Sequence, residues 1–299
     1  MKSKAGWIIF ILLIMTSGSV SMNQSGQLRT RFYQSMHINP NSGKTPRNPL
    51  VMVLSFDYED LTTDSGTKNL PSIFQILEKH DAKATFFILG KAAEKNPSAV
   101  KEIYVRGHSL GLHTSTHHFP IFTRDDASEI EEVYKTELDY VWDRSFKTPE
   151  IFYEDLEKNK KYVTNAIGDN IELKMFRSPS LVVNWTTDQE YFSTLKKAGI
   201  KIDSSAIRES TDKEPVYLLY GIIEVPVSVS ETSLFNVTSL NIIVEGYSKD
   251  SLPFVMYIHP QKLGSNDLII FDEFLSSLEE EYDVTYLMVD EVPTYYGTS

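Results

Sequence analysis

Four of the seven histidines in this chain lie within residues 107–118. Two of them, His113 and His117, are four positions apart, so one helical turn would place both imidazoles on the same face. That arrangement lets two imidazole nitrogens bind one divalent metal ion. The alternative interpretation is an exposed polar turn that contains several histidines without a function. Because the chain has no cysteine, the other ligands of any metal have to be His, Asp or Glu.

Carboxylates follow directly after a continuous apolar segment, residues 50–56. Such a segment is typical of a strand that is buried on both faces. It is followed by Asp57, Glu59 and Asp60, and carboxylates serve as ligands of divalent ions and as general bases. Since residues two apart in a strand share a face, we expect Asp57 and Glu59 to point to one site. The alternative is a solvated strand end that carries turn-forming residues.

Predicted strands and helices alternate along the chain, which indicates a parallel sheet and an α/β fold. In such folds the catalytic groups lie at the carboxyl ends of the strands, where we expect both Asp57 and His113. The apolar residues 103–105 predict a strand that leads into the histidines. The other predicted strands are residues 50–56, 83–89, 200–204, 222–227, 252–258 and 285–289, and the predicted helices are residues 70–80, 97–104, 126–142, 149–167, 186–197 and 267–280.

An ordered series of short motifs resembles the polysaccharide deacetylase family, which has the NodB-homology fold of carbohydrate esterase family four. The resemblance extends over roughly residues 49–292, and its specificity comes from the order of the motifs, because no single one is decisive. The matching segments, in chain order, are SFDYED from Ser55, ATFFILG from Ala84, GHSLGLHTSTH from Gly107, FRSP from Phe176, GIKIDSS from Gly199 and MYIHP from Met256.

The resemblance implies a metal site. It assigns His113 and His117 as ligands of a divalent metal ion, for which zinc is expected. The second aspartate of the family's first motif, also a metal ligand, falls on Tyr58, which cannot take that role. We therefore expect Glu59 to replace it, with Asp60 as the alternative.

The resemblance also implies catalytic roles for four residues. Asp57 corresponds to the general base, and Arg177 is expected to stabilise its carboxylate through a charge-assisted hydrogen bond. His259 corresponds to the acid that protonates the leaving amine. Asp203 is expected to orient His259. The alternatives are a surface ion pair for Arg177 and a hydrogen-bonded core histidine for His259.

The family fold is a distorted (β/α) barrel of about seven units, and it predicts a single catalytic domain over residues 49–299. Two features depart from the family pattern in addition to Tyr58. Ser180 stands where the family usually has an aromatic residue. The predicted helix over residues 149–167 lies in a long gap between two motifs, and we interpret it as an insertion near the rim of the site that influences substrate selectivity.

The function implied by the resemblance is a metal-dependent hydrolase that removes N-acetyl groups from amino sugars of a polysaccharide, such as peptidoglycan, a chitin-like polymer or poly-N-acetylglucosamine. The alternatives are an O-acetyl esterase, an amide or imide hydrolase of the same fold, and a non-catalytic glycan-binding homologue. The formal net charge of −12 argues against nucleic acid and anionic membrane surfaces as main partners. No protein partner is implied.

The N-terminal residues predict export. Lys2 and Lys4 precede an apolar segment over residues 7–15, and small residues follow it. This pattern is typical of a signal peptide, here residues 1–21, and residues 22–48 read as a flexible linker. We therefore expect a secreted, periplasmic or cell-envelope protein, which would be membrane-anchored if the signal segment is not cleaved.

Overall fold

One curled sheet organises the computed structural model, which describes residues 47–128, 137–169, 171–182 and 189–298. Within these residues the sheet has ten strands in the order β6-β7-β5-β4-β3-β2-β1-β9-β8, with β10 pairing with β1 from outside this path. All pairs are parallel except β6 with β7. The strands are β1 (Asn48–Tyr58), β2 (Thr85–Ile88), β3 (Ser109–Leu112), β4 (Met175–Phe176), β5 (Ile202–Asp203), β6 (Tyr217–Leu219), β7 (Ile222–Glu224), β8 (Val229–Ser230), β9 (Phe254–Ile258) and β10 (Tyr282–Leu287).

Helices connect the parallel strands, as crossover connections require. They are α1 (Ser65–Lys79), α2 (Gly90–Lys95), α3 (Pro97–Val105), α4 (Leu138–Asp143), α5 (Pro149–Ile167), α6 (Gln189–Lys197), α7 (Val237–Asp250), α8 (Ser265–Glu281) and α9 (Val292–Tyr295). Among the described residues, no helix is both long and apolar enough to span a bilayer. The result is a single α/β domain built as a curled, mostly parallel half-barrel, which confirms the predicted fold class.

The central strand β1 packs against different surroundings on its two faces. Its even-numbered residues 50–58 belong to the large apolar core that also contains the buried faces of the helices. Val51 and Val53 point the other way, into a smaller cluster with Phe87 and Val255 inside the curl of the sheet. Because side chains alternate along a strand, the odd-numbered residues that follow continue toward the mouth of the half-barrel.

The structure corrects two predictions about the elements that border the histidines. Residues 103–105 end α3, and the strand that leads to the histidines is β3, which lies inside the histidine-rich segment itself. Residues 149–167 form α5 rather than an insertion at the rim. This helix connects β3 and β4 and buries Phe152, Leu156 and Val163 in the main core.

Most other predicted elements are confirmed with shifted ends. Several elements of the structure, however, were not predicted. The elements that were not predicted are α2, α7, α9 and the short strands β4, β6 and β8. The predicted strand over residues 222–227 ends already at β7, after which the chain crosses to β8. The predicted helices over residues 126–142 and 186–197 lie partly outside the described residues, and their described parts contain α4 and α6.

Gly111 in β3 allows close packing beneath the site. A Cβ atom at this position would lie 2.5 Å from Cδ1 and 2.6 Å from Cε1 of Phe87. The Phe87 ring in turn packs 4.2 Å from the guanidinium carbon of Arg177. Any side chain larger than hydrogen at Gly111 therefore has to displace an aromatic ring that supports Arg177.

We expect Gly111→Ala to lower the free energy of unfolding by about 1–3 kcal/mol, the usual cost of overpacking a core. The measurement is urea denaturation. Gly246→Ala is the matched control, because Gly246 lies in α7 with no atom within 4 Å of a built Cβ. That control should stabilise the protein slightly, since alanine is the better helix former. Equal denaturation midpoints for Gly111→Ala and wild type would contradict the packing argument.

Candidate metal centre and active site

His113 is held by hydrogen bonds on both sides of its ring. It follows β3 directly and is fully buried. Its Nδ1 lies 2.8 Å from the carbonyl oxygen of Arg177, and its Nε2 lies 2.7 Å from Oε1 of Glu59. A carbonyl only accepts, so Nδ1 carries the proton and Nε2 of the neutral ring presents a lone pair. This lone pair and a carboxylate oxygen both face the same point, which requires a cation between them, either a proton or a metal ion.

His117 reaches the same oxygen from a loop. Its Nε2 lies 2.9 Å from Oε1 of Glu59. The chain between the two histidines is not helical, because Thr114 and His117 have φ angles of 55° and 62°. The two imidazoles therefore converge from a loop and not from one face of a helix. Thr114 supports the turn, since its Oγ1 accepts a hydrogen bond from the His117 N–H at 3.0 Å.

Helix α5 holds this loop against the sheet. Asn159 donates from Nδ2 to the carbonyl oxygens of Thr114 at 2.6 Å and Ile88 at 3.1 Å. Asp155 accepts from the N–H of Ser115 at 2.6 Å. Burial raises the pKa of Asp155 to about 6, and the hydrogen bonds from Ser115 partly oppose this shift. The helix that we had interpreted as a selectivity insertion therefore positions the two histidines.

Glu59, rather than Asp60, joins the histidines. Burial alone would raise the pKa of Glu59, but the hydrogen bonds and charges of His113 and His117 hold it well below its ordinary value. Asp60 points elsewhere: its Oδ2 accepts from the N–H and the hydroxyl of Thr67 at 2.7 and 2.8 Å. These bonds occupy one of the free N–H groups in the first turn of α1. The structure thus brings Glu59 to the cluster and leaves Asp60, the predicted alternative, outside it.

Tyr58, the residue before Glu59, takes no part in this cluster. Its side chain lies on the outer face of β1, fully buried in the main core. Its hydroxyl lies 2.6 Å from Oγ1 of Thr67, and burial raises its pKa to about 12. Tyr58 therefore remains neutral at physiological pH and contributes to packing.

Asp57 and Arg177 form a buried ion pair beside this cluster. Nη1 of Arg177 lies 2.9 Å from Oδ1 of Asp57. The same nitrogen donates to Oγ of Ser55, while Nε and Nη2 donate to the carbonyl and hydroxyl of Ser204, all at 2.9 Å. Arg177 is completely buried, so the predicted alternative of a surface ion pair was wrong. This network fixes the direction in which the Asp57 carboxylate points.

His259 follows β9 and is oriented by Glu231. Both carboxylate oxygens of Glu231 lie 3.1 Å from Nδ1 of His259. Burial lowers the pKa of His259, but the hydrogen bond and charge of Glu231, together with Asp57 and Glu59, raise it above its ordinary value. Sequence reasoning missed Glu231, which belongs to no matched motif. Glu231 comes next to His259 because Ser230 in β8 pairs with Tyr257 in β9.

The expectation that Asp203 orients His259 was wrong. Asp203 lies on β5, which β4, β3, β2 and β1 separate from β9 in the sheet. Its carboxylate accepts from Tyr191 at 2.7 Å and from Ser205 at 2.5 Å. Burial raises the pKa of Asp203 to about 6 and raises that of Glu224, its partner across the β5–β7 register, well above its ordinary value. Asp203 also accepts a hydrogen bond from the N–H of Ser204, whose carbonyl accepts one from Arg177. Asp203 is therefore connected to the site through Ser204 and Arg177.

The ligand-type atoms form two overlapping groups. Glu59, His113 and His117 offer atoms that lie within 4.8 Å of one another, and so do Asp57, Glu59 and His259. Two imidazole nitrogens and one carboxylate oxygen suit zinc or another borderline divalent ion. Three protein ligands also leave coordination positions open, as in catalytic rather than structural sites. The residues present therefore fit a catalytic divalent metal.

Comparison with known proteins matches the chain to one family. The sequence profile described as polysaccharide deacetylase matches residues 44–203, more than half of the 299-residue chain. The chain belongs to the polysaccharide deacetylase family. The family resemblance drawn from the motifs is thereby confirmed.

Individual relatives of the family are more distant. A peptidoglycan-N-acetylglucosamine deacetylase from Listeria monocytogenes is 26% identical over 204 residues, which is 67% of this chain and 40% of that protein. A peptidoglycan-N-acetylglucosamine deacetylase from Bacillus cereus is 31% identical over 133 residues, or 44% of this chain and 41% of that protein. The chain thus spans about two fifths of the length of these curated relatives.

Solved structures share the fold. A provisionally assigned polysaccharide deacetylase from Mycobacterium smegmatis superposes with a TM-score of 0.60 at 15% identity, covering 87% of this chain and 94% of that one. A carbohydrate esterase family 4 pseudoenzyme from Bacillus anthracis gives a TM-score of 0.50 at 17% identity, covering 85% and 69%. At these identities the likeness concerns the fold alone.

Measuring zinc affinity tests which of the two carboxylates after Tyr58 is a metal ligand. We expect Glu59→Gln to weaken zinc binding by at least about 100-fold, because even the loss of an outer-shell partner costs about 10–100-fold. Competition titration with a chromophoric chelator measures the affinity. Asp60→Asn is the matched control and should retain it, since Asp60 bonds to Thr67. Zinc loss in Asp60→Asn with an unchanged circular dichroism spectrum would show that the ligand is assigned to the wrong residue.

Proposed function

We propose that this protein is a divalent-metal-dependent hydrolase that removes N-acetyl groups from the amino sugars of a polysaccharide. The observation that carries the proposal is the convergence of both histidine Nε2 atoms on Oε1 of Glu59, next to Asp57 and His259. Zinc is the metal that we propose. The names of the relatives support an N-acetylglucosamine polymer of the peptidoglycan type, with chitin-like polymers and poly-N-acetylglucosamine as the other substrates to test.

In the first half of the reaction, water attacks the acetamide, and the metal-holding residues and the base have separate roles. His113, His117 and Glu59 would hold the metal ion, which polarises a carbonyl and lowers the pKa of water when it is bound. Asp57 accepts the proton of the water that attacks the acetamide carbon. Arg177, which also donates to Ser55, holds Asp57 in place, so little reorganisation is needed when the proton moves.

His259 acts in the second half. The bond between the carbonyl carbon and the sugar nitrogen breaks, and the products are acetate and a free amine. The nitrogen has to be protonated as it leaves, and His259 is the candidate acid because its raised pKa favours the imidazolium form. Glu231 accepts a hydrogen bond from Nδ1 and so directs Nε2 toward the substrate.

Export remains part of the proposal. The predicted signal peptide, residues 1–21, lies outside the described residues, as does the predicted linker over residues 22–48 apart from its last two residues. An exported enzyme would meet the envelope polymers named above. N-terminal sequencing of the protein from cell fractions tests this prediction, and a full-length chain in the cytosol would contradict it.

The experiment that tests the proposed function is acetate release from peptidoglycan, chitin oligomers and poly-N-acetylglucosamine, with and without a chelator. We expect release from at least one polymer that stops with chelator and resumes with zinc. Asp57→Asn should retain zinc and lose about 10²–10⁴-fold in kcat, because the general base is removed while the ligands remain. Absence of release from all three polymers by zinc-loaded protein, or an unchanged rate in Asp57→Asn, would contradict the proposal.

The pH profile tests the role of Glu231. The rate should fall on the alkaline side as His259 loses its proton. Since Glu231 raises the pKa of His259, Glu231→Gln should move this alkaline limb to lower pH and leave the acidic limb in place. The measurement is kcat against pH for zinc-loaded wild type and variant. Glu245→Gln, an exposed change on α7, is the control, and identical alkaline limbs in wild type and Glu231→Gln would refute the assignment.

A further inference from the structure

Arg144 lies at the edge of the site, on the segment between β3 and α5. Its Nη2 is 3.4 Å from the carbonyl oxygen of His117 and 3.5 Å from Nδ1 of the His117 ring. The backbone beside it is fixed, because the Arg144 carbonyl accepts from the N–H of Phe119 at 2.8 Å. The guanidinium group is therefore one imidazole ring away from Glu59, on the outer side of the candidate metal centre.

The positive charge of Arg144 is not neutralised within the described part of the chain. Arg106, Arg124 and Arg177 each contact a carboxylate. Arg144 forms no ion pair with any described residue, and its buried Nε has no hydrogen-bond partner there. Arg144 therefore lies beside the candidate metal centre with a charge that no described carboxylate balances, which leaves it available to an anionic ligand.

When the site holds a cation, the tautomer of His117 leaves an additional N–H group of Arg144 without a hydrogen-bond acceptor. If Nε2 of His117 binds a metal ion, the proton of the neutral ring resides on Nδ1. Nδ1–H and the guanidinium group can both only donate, so the 3.5 Å contact between them is then not a hydrogen bond. The carbonyl of His117 uses one of the five N–H groups of Arg144 and Nε is buried, so the remaining N–H groups of the two Nη atoms are left for a ligand.

The surroundings of Arg144 select the kind of ligand. Its guanidinium carbon lies 5.4 Å from the ring centre of Tyr140 and 5.9 Å from that of Phe119. Aromatic rings lie beside the planar guanidinium group, and its remaining Nη N–H groups suit a planar carboxylate, which accepts two parallel hydrogen bonds. Tyr140 is 52% exposed and offers an apolar surface next to that charge.

We infer that Arg144 is a substrate-binding residue for a carboxylate on the sugar that adjoins the N-acetylated one. The inference deepens the proposed function and rests on it for the identity of the polymer. It gives the enzyme a preference for acidic amino-sugar polymers over neutral ones, in spite of the net charge of −12. The preference is local, because charges separated by more than about 10 Å are largely screened at 0.1 M salt.

The test uses a matched pair of peptide-free glycan oligomers. Both alternate N-acetylglucosamine with N-acetylmuramic acid, and the lactyl carboxylate is free in one and converted to the methyl ester in the other. We expect wild type to have the higher kcat/KM on the free acid. Arg144→Gln should reduce the ratio of the two kcat/KM values about tenfold, equivalent to about 1.4 kcal/mol. Arg144→Lys should restore part of it, since lysine keeps the charge but not the paired donors.

Arg124→Gln is the matched control, because it removes the same charge from the same segment at an exposed pair with Asp139. Its ratio should equal that of wild type. If wild type hydrolyses both oligomers at equal rates, the inference is overturned while the proposed function stands. If Arg144→Gln loses equally on both oligomers, Arg144 positions His117 instead, and the inference is likewise overturned.

Binding provides a readout that does not depend on turnover. Calorimetric titration of zinc-loaded Asp57→Asn protein with the free acid and the ester should show tighter binding of the free acid. Adding Arg144→Gln to Asp57→Asn should remove this difference. If no acetate is released from either oligomer but the difference is present, the inference stands and the proposed function fails. Equal affinities for the two oligomers would overturn the inference.

Discussion

The alternation of side chains along β1 is the constraint on which the site depends. The even-numbered residues 50–58 are buried under the helices, and the odd-numbered residues point into the curl of the sheet. At the carboxyl end of this strand, Asp57 and Glu59 therefore reach the mouth together, whereas Tyr58 is directed into the apolar core. A ligand at position 58 would need the strand to shift by one residue, which would turn its whole apolar set to the wrong face. The carboxylate that faces the histidines therefore belongs to Glu59, one residue after Tyr58.

Arg177 joins the two halves of the candidate site. Its side chain holds Asp57, while its backbone carbonyl accepts a hydrogen bond from Nδ1 of His113 and thereby turns Nε2 toward Glu59. The guanidinium group is completely buried, and each of its nitrogens has a partner. Removal of one member of such a buried pair costs about 3–5 kcal/mol, because the remaining charge is left without compensation. The positions of Asp57 and His113 thus depend on one residue, Arg177, whose own position the core determines.

Other parts of the site come from elements that are neighbours in the sheet and not in the chain. Glu231 reaches His259 because β8 pairs with β9. Helix α5 reaches the histidine loop because it crosses from β3 to β4 over the outer face of the sheet, where Asp155 and Asn159 meet residues 114 and 115. The positive φ angles of Thr114 and His117 are maintained by these contacts, consistent with the observation that strained backbone persists where the surrounding structure over-determines it.

By itself, the sequence determined the fold class, the family and the residue types at the carboxyl ends of the strands. These properties depend on local periodicity, on the order of motifs and on the strand period of two, which already favoured Glu59 over Asp60. Only the tertiary structure brought Glu59 and not Asp60 to the histidines, placed Glu231 and not Asp203 beside His259, and showed that residues 149–167 contact the histidine loop from the core. The physical reason is that each of these choices depends on strand order, register and crossover packing. Those are contacts between residues far apart in the chain, and no local pattern encodes them.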